Sequence, residues 1–125
     1  MVKPKQRALA SFKRAVSGLI FAFRDQPNLR RGLLFALIVL SLSFVFHLSR
    51  LEFILILWCI FIFFIAEMIN TSIEAVVDLV TEEQRQKARI AKDVASGMVL
   101  LTVIGTVVTG ILVFAPYIID LLSLL

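Results

Sequence analysis

The chain has 125 residues, 60% of them hydrophobic, and a mean hydropathy of +0.98, whereas soluble domains are about 45–50% apolar. That composition excludes an ordinary water-soluble fold and leaves room, after a polar N-terminal stretch, for three membrane spans of roughly 20 residues each. The net charge is +4, and its placement carries the information: Lys3, Lys5, Arg7, Lys13, Arg14, Arg24, Arg30 and Arg31 precede position 32, while Arg85, Lys87, Arg89 and Lys92 form a second cluster.

By the positive-inside rule both clusters are predicted to be cytoplasmic, so the N-terminus lies inside and the C-terminus outside. A polybasic arm beside a membrane helix is drawn to anionic lipid headgroups, and no nucleic-acid partner is read from it. The single Cys59 forms no internal disulfide, and no Cys/His spacing suggests zinc. Arg24-Asp25-Gln26-Pro27 stands where a small-residue cleavage site would have to be, so no cleaved targeting segment is expected.

In chain order, apolar Ala8, Leu9, Phe12, Ala15, Val16, Leu19, Ile20 and Phe23 recur at three- and four-residue spacing, which predicts an amphipathic surface helix over 6–25. Pro27 disfavours helical geometry at the residue before it and suits a first turn, so the chain bends there before a first transmembrane helix over 32–47. A second span is predicted over 53–80, its last part projecting past the hydrocarbon. The connector Thr81-Glu82-Glu83-Gln84-Arg85-Gln86-Lys87 follows, then a third span over 93–122. Within it Ser96-Gly97, Thr102, Gly105-Thr106 and Thr109-Gly110 keep one face small, as close helix packing in membranes requires. The expected architecture is an all-α integral membrane protein, one membrane domain over 1–125, with an N-terminal amphipathic surface helix plus three transmembrane helices.

The second span carries the chemistry. At 100° per residue, taking Glu67 as zero, Asn70 lies near about −60°, Thr71 near about +40°, Glu74 near about −20° and Asp78 near about +20°, so all five share a face. A carboxylate within the membrane costs about 2.5–3.5 kcal/mol on insertion scales, so this stripe demands partners, water or metal. Lys92-Asp93, at the start of the third span, stands at the same level and offers an ammonium to phosphate oxygens. Carboxylates, a lysine and an amide at membrane depth suit phosphoryl transfer to a lipid hydroxyl. Periodicity alone leaves a non-catalytic membrane assembly or ion pathway open on the same stripe.

The run Glu67-Met68-Ile69-Asn70-Thr71-Ser72-Ile73-Glu74-Ala75-Val76-Val77-Asp78, followed by Ala88-Arg89-Ile90-Ala91-Lys92-Asp93-Val94-Ala95-Ser96-Gly97, resembles the prokaryotic diacylglycerol kinase family, which includes the undecaprenol kinases. Ser11-Phe12-Lys13 with Ala15 and Gly18 extends the likeness into the surface helix. The resemblance implies a homotrimer in the bacterial cytoplasmic (inner) membrane, with active sites between subunits at the cytoplasmic face, using ATP and Mg²⁺ on a membrane lipid; no further protein partner is evident. It assigns Glu67 as general base and Asn70 as positioning group, both touching the lipid, with Ser96 as a further substrate contact. Arg7, Glu74, Asp78, Lys92 and Asp93 fall on the nucleotide side, Glu74 also as metal ligand. One departure is expected to matter: Gln26 stands where the family usually has a metal-binding glutamate, so either neighbouring Asp25 takes the ligand role or the metal is held more by phosphates, waters and Glu74. The Asn28-x-Arg30 spacing and the Lys92-to-Gly97 run look closer to the undecaprenol kinase branch.

Overall fold

The computed structural model describes residues 1, 3–83 and 85–125; Gln84 of the predicted connector lies outside them. The chain is all-helical: α1 (Pro4–Asp25), α2 (Pro27–Val45), α3 (Arg50–Val80) and α4 (Gln86–Ser123). The last three are long and apolar enough to cross a membrane.

Helices α1 and α2 are separated by one extended residue, Gln26, at φ −102° and ψ 110°. Pro27 opens α2 at its first turn, where its missing N–H leaves no additional bond unmade. The Arg30 guanidinium donates to the Arg24 carbonyl across this corner. Only the last turn of α1 packs, through buried Ala22 and the Phe23 ring, whose centroid lies 5.1 Å from that of Phe64 on α3. Leu9, Phe12, Val16, Leu19 and Ile20 of α1 are exposed.

Helix α2 ends in a Schellman arrangement. Leu48 N–H donates to Ser43 O at 3.1 Å, and His47, at φ 52°, donates to Phe44 O at 3.2 Å. The left-handed position is one usually filled by glycine. Ser49 then caps α3: its hydroxyl accepts from Glu52 N–H at 3.3 Å, while the Glu52 carboxylate accepts from Ser49 N–H at 2.8 Å. The same carboxylate oxygen accepts from the Tyr117 hydroxyl at 2.6 Å, tying the start of α3 to the end of α4. Ile56, Val113 and Phe114 form the buried cluster beside this closure, packed by Val39, Phe46, Leu48 and Ile60.

Helix α3 runs antiparallel to both α2 and α4, and α3–α4 is the main packing pair. At Gly32 the Phe63 ring of α3 lies against the α2 backbone, where a Cβ would collide with it. Elsewhere large apolar side chains such as Leu34, Phe35, Trp58, Leu101 and Leu112 are exposed, as lipid-facing surface must be. At about 1.5 Å per residue, α3 is about 46 Å long and α4 about 57 Å, both longer than a hydrocarbon core of about 30 Å. Each therefore extends beyond the apolar slab. The α1–α2 corner and the α3–α4 connector meet at one end of the bundle, and the acidic stripe of α3 lies toward that end.

Helix packing in a membrane rests on close contact more than on hydrophobic burial, and the small residues of α4 divide: Thr106 and Gly110 line the space toward α2 and α3, whereas Gly97 and Gly105 are exposed. A Cβ built on Gly97, Gly105 or Gly110 would meet nothing within 4 Å. Within one chain the Gly97 and Gly105 positions are open.

Candidate functional site

The stripe on α3 is graded in burial. Glu67 is the most enclosed, with 6% of its surface exposed; Asn70, Thr71 and Glu74 are half-buried, and Asp78 is exposed. The grade follows from position: Glu67 faces α2 where the bundle is closed, and Asp78 is near the helix end.

Glu67 stands at the end of an apolar groove. Residues Asn28, Arg31, Gly32, Phe35, Ala36 and Val39 of α2 recur every three or four positions and form one wall, and Ile56, Cys59, Ile60, Phe63, Phe64 and Glu67 of α3 form a second at the same period. Val103, Thr106, Val107, Gly110 and Phe114 of α4 complete a cavity of about 610 Å³. Apart from Thr106, the polar lining is confined to Asn28, Arg31 and Glu67 at one mouth. The Asn28 side chain lies beside the Glu67 carboxylate. A long apolar slot with Asn28, Arg31 and Glu67 as its polar end has a shape and lining that suit an amphiphile.

One turn further, the Asn70 Oδ1 is buried and receives no hydrogen bond among the described residues. Buried acceptors nearly always find a donor, so this atom is poised to accept one from a bound group. Glu74 likewise makes no hydrogen bond or ion pair among the described residues. Beyond it, Lys92 Nζ donates to Asp78 Oδ1 at 2.5 Å, joining α4 to α3 just past the connector. Exposed ion pairs of this kind contribute little to stability; the geometric effect is to hold an ammonium at the level of the acidic stripe.

Other sequence-predicted residues are not drawn in. Asp93 is exposed and pairs with Arg89 at 3.8 Å along α4. Ser96 is exposed without a partner among the described residues. Arg7 is exposed near the start of α1, fifteen residues and about 22 Å of helix from the turn that packs. Asp25 pairs with Arg24 at 3.6 Å, and half-buried Gln26 caps the corner through its backbone. Among the described residues no three His, Cys, Asp or Glu side chains converge as a metal-holding group. Asn28 beside Glu67, and Arg31 in the lining of the same groove, are the residues that local pattern misses. Their polarity at the start of an apolar helix is the signal, and only the antiparallel return of α3 reveals what they face.

Residues 13–114 match the family model of prokaryotic diacylglycerol kinase. The chain belongs to that family and is, by class, an enzyme: a lipid kinase of the bacterial membrane. Among curated relatives it is 33% identical over 115 residues to a diacylglycerol kinase of Synechocystis, covering 91% of this chain and 66% of the relative. It is 34% identical over 110 residues to an undecaprenol kinase of Bacillus subtilis, covering 88% of this chain and 89% of the relative. A diacylglycerol kinase of Haemophilus influenzae is 31% identical over 106 residues, 83% of this chain and 90% of the relative. Membership in a kinase family does not favour the alternative of a non-catalytic assembly or ion pathway.

Proposed function

We propose that the chain transfers the γ-phosphate of MgATP to the primary hydroxyl of a membrane lipid, undecaprenol or diacylglycerol. The observation that carries this reading is the buried Glu67 carboxylate at the polar mouth of an apolar groove between α2, α3 and α4. A general base must reach the proton it removes, and a lipid whose chain fills the groove presents its hydroxyl to Glu67.

In this reading the hydroxyl proton passes to the Glu67 carboxylate as the oxygen forms its bond to the γ-phosphorus. The bond from that phosphorus to the β–γ bridging oxygen breaks, and its electron pair leaves with ADP. Asn70, whose Oδ1 has no donor among the described residues, orients the hydroxyl by donating from its amide N–H to the hydroxyl oxygen, which leaves the hydroxyl proton to Glu67. Lys92, fixed by Asp78, neutralises phosphate oxygens, with Arg7 and Asp93 as outer nucleotide contacts and Ser96 as a further lipid contact. Glu74 suits a Mg²⁺ ligand because it is unpaired among the described residues, and Mg²⁺ in such sites takes one or two carboxylates together with substrate phosphates. When bound, the ion supplies charge neutralisation on the β- and γ-oxygens. Asp25 and Gln26 at the corner are the remaining candidates for a second ligand.

The exposed apolar positions of α1 support an amphipathic helix on the membrane surface. The spans fall within 32–47, 53–80 and 93–122, with the N-terminus and the site at the cytoplasmic face of the inner membrane, supported by the basic clusters at that end of the bundle. The exposed Gly97 and Gly105 of α4 support packing against further copies, a homotrimer by resemblance.

The test is a substrate panel: the purified protein in micelles with γ-labelled MgATP and, separately, undecaprenol and diacylglycerol. The expected result is a labelled lipid with at least one of them. Label transfer to no prenol and no acylglycerol would refute the proposal.

A further inference from the structure

We infer that Arg31 holds the phosphate on the lipid side of the site: the γ-phosphate oxygens during transfer, and then the phosphorylated head of the product. This rests on the lipid-kinase reading above. Arg31 belongs to the stripe of α2 that lines the groove, where Gly32, Phe35, Ala36 and Val39 are its companions; it is exposed and lines the same groove as Glu67. The two do not form an ion pair among the described residues, nor does Arg31 make any other ion pair or hydrogen bond there. The other arginines around this end are engaged: Arg24 with Asp25, Arg85 with Glu83, Arg89 with Asp93, and Arg30 with the Arg24 carbonyl. A carboxylate and a guanidinium lining one groove without contact leave space for a group that touches both.

Charge says which group. Glu67, Glu74 and Asp78 all repel an arriving phosphate, and the nearest lysine, Lys92, is tied to Asp78 at 2.5 Å on the nucleotide side. A cation is therefore needed beside the acceptor hydroxyl, and Arg31 is the cation that lines the groove. Guanidinium stays protonated and meets phosphate oxygens through two parallel N–H bonds. As the hydroxyl oxygen bonds to the γ-phosphorus and the bridging P–O bond breaks, Glu67 takes the proton while Arg31 exchanges none. Its work is to offset charge on the equatorial oxygens.

The simpler role for an arginine near a membrane interface is to reach a bulk lipid headgroup, and kinetics separate the two. The full chain and its R31Q and R31K forms are assayed in micelles with MgATP and whichever lipid the panel accepts, adding the phosphorylated lipid as product inhibitor. R31Q is expected to lower kcat by roughly 10²-fold, to leave KM for the unphosphorylated lipid within about twofold, and to weaken product inhibition by roughly tenfold; R31K is expected to fall between. If R31Q keeps parental kcat and product inhibition, the inference is wrong. It is equally wrong if R31Q and R31K raise only the lipid KM. Helical content and unfolding temperature of each form separate loss of fold from loss of function, and R31K, which keeps the charge, serves if R31Q unfolds. A parent that phosphorylates no lipid overturns the kinase reading itself; an active parent with an unaffected R31Q overturns only the role of Arg31.

Discussion

Asn70 shows how the site trades stability for chemistry. Its Oδ1 is buried without a donor among the described residues, and an unsatisfied buried acceptor costs about 1–3 kcal/mol. Removing it relieves that cost and also removes the group proposed to orient the hydroxyl. Asn70→Leu is therefore expected to leave the thermal unfolding midpoint in detergent unchanged or higher, while turnover falls about 10²-fold. A variant that loses stability and activity together would mark Asn70 as a packing residue. The stripe itself was legible in the sequence, because acids and an amide at three- and four-residue spacing in an apolar run are costly wherever lipid is the neighbour. The grade of burial was not: that Glu67 is enclosed and Asp78 exposed depends on where α2 closes onto α3. Asn28 and Arg31 were illegible for the same reason, since Glu67 lies more than thirty positions away along the chain.

At the scale of elements, three long apolar helices were readable from hydropathy because span length is set by the bilayer. Helix ends were not, since polar residues continue a helix without marking it. Helix α2 starts at Pro27 and includes Asn28, Arg30 and Arg31; α4 starts at Gln86. The extra turns put Arg31 and Lys92 on rigid helix instead of loop, which is what lets them hold a fixed place near the stripe. The α2–α3 turn depends on His47 at φ 52°, a region that penalises most L-residues by about 1–2 kcal/mol and that β-branched residues tolerate least. His47→Ile is expected to lower stability by about 1–2 kcal/mol, whereas His47→Gly is expected to match or exceed the parent, as thermal unfolding in detergent will show. Equal midpoints for the two variants would mean that the turn is not held in this conformation.

At the scale of the whole molecule, the single chain assembles a groove and a partial site. Arg7, Asp93 and Ser96 stay outside, no three-ligand metal group forms among the described residues, and the part of the small-residue pattern of α4 at Gly97 and Gly105 is exposed. That last feature was readable as a packing face but not as one left free by the chain's own helices. Sites completed between subunits, as the proposed homotrimer implies, would account for all three. Coexpressing E67Q with R7A chains and isolating mixed assemblies is then expected to give activity above that of either variant alone, because some sites draw an intact Glu67 and an intact Arg7 from different copies. Mixed assemblies as inactive as the single variants would mean that each chain holds its whole site.

The central claim is that Glu67 removes the proton from the lipid hydroxyl. Its most direct test is turnover of Glu67→Gln with MgATP and the accepted lipid, measured beside nucleotide binding to the same protein. A fall of about 10²–10⁴-fold in turnover, with nucleotide binding kept, is the predicted result; turnover within a few-fold of the parent would contradict it.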